Sequence, residues 1–232
     1  GMVSEDKNRN KSQLSEIITI EIDTKRPTYY QEIGNVIGSN ANDQLGKDLS
    51  ISGDGSTLVI TSPGRDLFNL LNWEWDYDIG NILIYQIERD KNHQISNGMI
   101  EIEREFIGES AQDQFGTTLD ISTQGDLIAV GTPNHGSSGY TKFYSFSEND
   151  NSWFELDDKI YGDSENLSGK SLSISNDGSK IAITNPATVY ENIDGKWKQI
   201  GDGFEQKTTT VNEWQPTKNI DISSDGNLLV IG

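Results

Sequence analysis

A single phrase, written four times, constrains this chain more than any other feature. Its clearest copy occupies residues 113–133. It holds a Phe115-Gly116 pair, an alternating segment with Leu119 and Ile121, a turn closed by Gly125, an apolar run at 127–130, and then Gly131-Thr132-Pro133. The wording returns at residues 45–63, 168–186 and 219–232. A fixed unit of this kind marks a repeat architecture, in which each copy is one supersecondary unit stacked on the next.

The pattern inside each copy predicts strands. Residues 48–52, 118–122, 171–175 and 219–223 alternate polar and apolar, the period of a strand with two unlike faces. Gly55, Gly125, Gly178 and Gly226 close the turns that follow, where positive φ is needed. The partner segments, 57–61, 126–131, 180–184 and 227–231, are apolar at successive positions, as a strand covered on both faces is. Third and fourth strands are predicted at 81–88 and 99–107, at 140–146 and 153–157, and at 188–192 and 196–200. The turn glycines lie 70, 53 and 48 residues apart, the first interval being stretched by an insertion at 64–80. Repeats of roughly 40 to 50 residues with four short strands each are propeller blades. No stretch carries sustained helical periodicity, so almost no helix is expected.

The expected fold is therefore all-β: a β-propeller of four-stranded antiparallel blades. It forms one domain over residues 14–232, behind a polar, disordered lead-in at residues 1–13. Residues 15–22 and 29–33 add two strands ahead of the first copy. Tyr30, Ile33 and Gly34 align with Trp197, Ile200 and Gly201, so these strands are expected to supply the outer half of the last blade. That closes a ring of four blades and removes a sheet edge open to promiscuous pairing. The competing expectations are a fragment of a longer ring, or a larger ring shared by two chains as a homo-oligomer.

Charge narrows the partners. The net charge is −19 and the pI is near 4.3. Phosphate binding needs a basic face, so neither nucleic acid nor an anionic membrane is an expected partner. The acids are spread along the chain, as on a well-solvated surface. There are no cysteines, hence no disulfide framework and no thiolate metal site. No apolar run approaches the length of a membrane-spanning helix, so no membrane insertion is expected. Gly1-Met2 reads as the scar of a tag, with a leader peptide removable upstream.

The Phe115-Gly116 and Gly131-Thr132-Pro133 ends resemble the FG-GAP repeats of integrin-alpha-like propellers. Ser52-Gly53-Asp54-Gly55, Ser175-Asn176-Asp177-Gly178 and Ser223-Ser224-Asp225-Gly226 are similar to the Ser-x-Asp-Gly hairpins of WD40-like bacterial propellers. The resemblance implies a propeller that binds proteins, glycans or surfaces, in an extracellular or periplasmic setting rather than a cytoplasmic one. Calcium-binding FG-GAP blades carry a run of alternating carboxylates in the first loop. This chain has one Asp per loop (Asp54, Asp177, Asp225), with Gln124 in its place in the second copy. A calcium ion takes six to eight oxygens, so these acids read as turn formers and no cofactor is expected.

Propeller ligands sit on one face, where the loops from second to third strand and from fourth strand to the next blade open together. Here that face holds the 64–80 insertion, residues 134–139, and two like loops around Asp43 and Asp113. The outlying stretch is 68–78, which places Trp73, Trp75 and Tyr77 beside Glu74, Asp76 and Asp78. Alternate spacing points the aromatics to one side of an extended segment and the carboxylates to the other. Aromatic faces with carboxylates suit sugar stacking and hydroxyl hydrogen bonds, and Trp and Tyr are favoured protein-interface anchors. The bland reading, favoured because large exposed apolar patches on monomers are uncommon, is a loop folded back to cap its own blade. His93 and His135 lie in different loops and read as solvent-exposed. Trp153, Trp197 and Tyr30 share one place in the repeat and read as packing between blades. Trp214 reads as either packing or surface.

No nucleophile elbow, phosphate loop or metal motif is present. The expected function is a non-catalytic binding module recognising a protein or a carbohydrate through Trp73, Glu74, Trp75, Asp76 and Tyr77, with Asp43 and Asp113 nearby. A carboxylate-dependent glycoside hydrolase and a structural segment of a larger surface protein are the alternatives.

Overall fold

The computed structural model describes residues 16–22, 30–38, 40, 42–71, 73–89, 95–162, 168–184, 187–204 and 219–232. The lead-in at 1–13, His93 and Trp214 lie outside the described residues. The described residues hold strands and no helix.

Strands β1 (Glu16–Ile22) and β2 (Tyr30–Ile37) form an antiparallel pair of their own. The first whole sheet follows. It begins with β3 (Leu49–Ile51) and β4 (Thr57–Ser62), detours through a small hairpin, β5 (Leu67–Asn69) and β6 (Glu74–Asp76), and ends with β7 (Asn81–Arg89) and β8 (Ile95–Ile107). Its spatial order is β3-β4-β7-β8. The second sheet is β9 (Thr118–Ile121), β10 (Leu127–Thr132), β11 (Tyr140–Ser147) and β12 (Ser152–Glu155), with β13 (Ile160–Tyr161) pairing the start of β11. The third is β14 (Leu172–Ile174), β15 (Lys180–Ile183), β16 (Ala187–Ile193) and β17 (Lys196–Phe204), and a last hairpin holds β18 (Ile220–Ile222) and β19 (Leu229–Ile231).

Each sheet is a simple antiparallel meander. The sheets stack face to face, with the short first strands β3, β9, β14 and β18 next to one another in that order. The second strands explain why. All six residues of β4 and all six of β10 are buried. Side chains of a strand alternate between faces, so both faces of β10 must be covered. Ile128 and Val130 pack with Val59, Ile82 and Ile84 of the first sheet. Leu127 and Ala129 pack with Ile174, Ile181 and Ile183 of the third. Trp153 belongs to the first of these clusters, and Trp197 to the second, stacked on Phe143 at 4.5 Å. The outer-strand tryptophans thus wedge between blades, as their shared place in the repeat implied.

Among the described residues the expected closure within one chain is not made: Ile18 stands opposite Asn35 and Ile20 opposite Glu32, while β18 pairs with β19. Instead Val36 of β2 packs with Leu58, Ile60, Tyr85 and Ile87, on the side of the first sheet away from the second. Ile220 and Ile222 pack with Ala182 and Ala187 of the third sheet. Among the described residues the stack runs from an outer hairpin through three whole blades to an inner hairpin, and no strand pairing joins the two hairpins.

The turns keep their sequence logic. Asp54 accepts hydrogen bonds from the hydroxyls of Ser52 and Ser56 and from the Ser56 N–H. Asp177 and Asp225 do the same for their own turns. Where Gln124 replaces the acid, Asp126 takes over and accepts from the Ser122 hydroxyl at 2.7 Å. The Ser179 N–H and the hydroxyls of Ser175 and Ser179 hold the Asp177 carboxyl down at about 2.

Candidate functional site

The 64–80 insertion forms a two-stranded hairpin with no partner beyond itself in the strand ladder. Phe68 stands directly opposite Trp75, so both rings fall on one face. Their centroids are 5.3 Å apart, edge to face, and Trp73 meets the same Phe68 ring at 6.3 Å. Such pairs are worth about 0.5–1.5 kcal/mol beyond the area they bury. The rings cluster on each other rather than on the blade. Trp73 remains 73% exposed, Trp75 52% and Tyr77 57%. The fold-back capping expected for this loop is therefore not what the hairpin does.

The even alternation expected over 73–78 holds only in part. Trp73 and Asp78 have φ of 60° and 50°, which breaks the extended run at both sides of β6. Asp76 turns back to accept a hydrogen bond from the Asn69 amide at 3.1 Å, fixing the register of the hairpin. Glu74 is exposed and Asp78 half-buried. Leu70 and Leu71 form the tip, with Leu71 96% exposed.

The hairpin is firmly mounted. The N–H groups of Gln112, Gln114 and Phe115 donate to the carbonyls of Tyr77, Asp78 and Ile79. Gln112 and Gln114 adopt φ of 66° and 53°. Positive φ costs a residue with a Cβ about 1–3 kcal/mol, and here it aims successive N–H groups at the hairpin base. Gly80 has φ of 78°, and a Cβ there would lie 2.2 Å from the Phe115 carbonyl oxygen.

Asp43 and Asp113, grouped with the aromatics by their loops, are buried anchors. Asp113 is 4% exposed; its carboxylate accepts the Ser110 N–H and lies 2.8 Å from Nδ1 of His135. Burial lifts the Asp43 carboxyl above the usual range, although the Asn40 amide and the Arg65 charge act the other way. Arg65 and His135 both follow their blade's proline by two residues (Pro63, Pro133). In two successive blades a basic group from the loop after the second strand thus acts on a buried Asp from the loop before the first, His135 by direct contact and Arg65 through its charge. His135 is not the free surface histidine the sequence suggested. Its partner lies 22 residues away in sequence, and only the repeat offset shared with Arg65 and Asp43 could have found it.

The hydrogen bond at Nδ1 fixes the orientation of the imidazole against the Asp113 carboxyl. The imidazole also packs edge-on against Tyr140 at 4.8 Å. Beside it, Lys142 is buried between Glu109 and Glu155, each at 2.8 Å. Partial burial opposes ionisation of Glu109, but Lys142 and Lys159 outweigh it and hold its carboxyl at about 2. Among the described residues no cluster of three or more His, Asp or Glu is placed to hold a metal ion.

No family model matches the sequence, and a search of curated proteins finds no match. By fold, the chain is similar to the crystal structure of a candidate 6-phosphogluconolactonase from Bacteroides fragilis, with a TM-score of 0.52 and 10% identity. The match covers 88% of this chain and 58% of that one, so this chain spans little more than half the neighbour's length. The likeness extends to 153 solved chains. It speaks to architecture: an all-β, propeller-like arrangement of stacked antiparallel sheets.

Proposed function

We propose that this chain is a recognition module whose contact element is the β5–β6 hairpin. The observation that carries the reading is the exposure of Trp73, Trp75 and Tyr77 on a hairpin whose base is held by three backbone hydrogen bonds. Large aromatics left in water are costly unless a partner covers them, and they are the commonest binding anchors. The Leu70-Leu71 tip favours a protein partner with an apolar pocket over a sugar, because aliphatic side chains add nothing to stacking on a pyranose face. The FG-GAP-like and WD40-like phrases of the repeat support a binding role of this kind. The test is a pull-down and a glycan panel run with the wild type and with Trp73→Ala/Trp75→Ala. Capture of a protein partner lost in the double variant, with the fold intact, is the expected result. Equal capture by both proteins sinks the reading.

A second reading rests on the Asp113–His135 pair. A histidine oriented by a buried carboxylate is the usual arrangement of a general base, and the structural neighbour bears a lactonase name. Turnover of a sugar lactone by the wild type, abolished by His135→Gln, would favour a hydrolase. No turnover by the wild type leaves the binding module.

A further inference from the structure

The β5–β6 hairpin is a ribbon with two unlike faces. Its register sets Phe68 opposite Trp75, Leu67 opposite Asp76 and Asn69 opposite Glu74. Side chains alternate between faces along a strand, and residues opposite each other share a face. Phe68 and Trp75 therefore lie on one face, and Trp73 joins them through its edge contact with the Phe68 ring. Leu67, Asn69, Glu74 and Asp76 lie on the other, where the Asn69 amide donates to Asp76. One face is aromatic and the other acidic.

The acidity is not cancelled locally. Residues 65–78 hold four acids, Asp66, Glu74, Asp76 and Asp78, and one basic residue, Arg65. The charge of Arg65 acts on the buried Asp43. Asp66 and Asp76 take their hydrogen bonds from uncharged donors, the Asp78 N–H and the Asn69 amide. In the loop beneath, by contrast, the acids are matched: Asp113 meets His135, and Glu109 meets Lys142 and Lys159.

A strand edge is open as well. In the ladder β5 pairs with β6 and with no other described strand. On the β6 side, the continuation at 77–79 already receives the N–H groups of Gln112, Gln114 and Phe115. The outer edge of β5 has no such cover among the described residues. Its sequence, Leu67-Phe68-Asn69, carries neither proline nor charge, two of the devices that close an edge to pairing.

We propose that the outer edge of β5 takes up an extended segment of a partner protein in which basic and apolar side chains alternate. This rests on the recognition reading above and specifies the chemistry of the partner. An added strand continues the pleat, so its side chains fall on the same two faces. Its apolar residues extend the face of Phe68 and Trp75, and its lysines or arginines extend the face of Glu74 and Asp76. Only a period of two satisfies both faces at once. The Leu70-Leu71 tip then meets the body of the protein that carries the segment.

The probe is the synthetic peptide Lys-Val-Lys-Tyr-Lys-Val-Lys, titrated by calorimetry into the full chain. One control has the same composition in the order Lys-Lys-Lys-Lys-Val-Tyr-Val, and another has Glu in place of every Lys. The alternating peptide is expected to bind, the reordered one at least tenfold more weakly, and the acidic one not at all. Two variants separate the faces, with circular dichroism to confirm the fold of each. Trp73→Ala/Trp75→Ala leaves the charge unchanged. Glu74→Gln/Asp76→Asn leaves the aromatics unchanged and keeps an amide oxygen to accept from Asn69. Each is expected to weaken the alternating peptide at least tenfold. Two further peptides carry backbone N-methyl groups, on the Val and Tyr residues in one and on the Lys residues in the other. A strand turns only alternate N–H groups toward its neighbour, so one of the two is expected to bind and the other not.

No binding to the wild type at millimolar peptide overturns the proposal. So does equal binding of the two orders, an affinity unchanged in either variant, or N-methyl peptides that both bind or both fail. If a protein partner is still captured through Trp73 and Trp75 beside any of these failures, the recognition reading stands and only the alternating basic segment falls. Equal capture by the wild type and Trp73→Ala/Trp75→Ala removes both.

Discussion

At the scale of single residues, the acids do two different jobs. Asp120 is the clearer structural case. It accepts the Ile174 N–H of the next blade at 2.8 Å and the Ser50 hydroxyl of the previous one at 3.1 Å, so one side chain ties three blades. Burial lifts its carboxyl above the usual range, and the hydrogen bonds from Ile174, Ile121 and Ser50 offset this only partly. Asp120→Ala leaves a buried-edge N–H without a partner. It should cost about 1–3 kcal/mol, read from urea denaturation. Glu109 behaves oppositely. Its folded carboxyl lies at about 2 against an ordinary 4.5, so its contribution is fully present above pH 4.5 and is lost as the pH falls toward 2. The stability difference between wild type and Glu109→Gln should therefore be constant near neutrality and close between those two values. Asp43, Asp48 and Asp120, whose carboxyls burial raises, titrate with the opposite sign but are common to both proteins and cancel. The turn roles of Asp54, Asp177 and Asp225 were readable from Ser-x-Asp-Gly alone, because an Asp two residues after a Ser bonds within its own turn. The Asp113–His135 pair was not, since it joins the loop before a blade's first strand to the loop after its second.

At the scale of elements, strand positions follow the sequence closely. The alternation at 118–122 became β9 and the apolar run at 126–131 became β10, each within a residue or so. The 64–80 insertion was harder. Its aromatics gave it away as unusual, but a two-stranded hairpin with a turn at Trp73 has only three residues per strand, too few for a period to show. Because the Trp73 and Trp75 rings lean on Phe68 and not on the blade core, the double alanine variant should lower the melting temperature by no more than a few degrees. A fall of ten degrees or more, read by differential scanning calorimetry, would show that the rings hold the blade. The mount is another matter. Gly80→Ala forces a Cβ into the Phe115 carbonyl at a positive φ and should destabilise the protein by about 2–4 kcal/mol. The same denaturation measurement checks it.

At the scale of the whole molecule, stability is uneven along the stack. The middle blade is covered on both faces, its β10 wholly buried, whereas β18–β19 is covered on one. Amide hydrogens of Ile128 and Val130 should exchange only by global unfolding. Those of β18, β19 and the β5–β6 hairpin should exchange by local opening, orders of magnitude faster, in a native-state hydrogen-exchange experiment.

The repeat by itself determined what each segment is. Period-2 alternation, glycine turns and runs apolar on both faces are local facts, and they fix strands, meanders and the stacking of one blade on the next. Only the tertiary structure decided where the stack goes. Whether β19 meets β1 depends on the angle each blade adds, a sum over all the side-chain volumes between sheets, and no single phrase of the sequence carries it. The same holds for Trp73 and Trp75: their spacing announced an aromatic cluster, and only the packing around Phe68 turned it toward water.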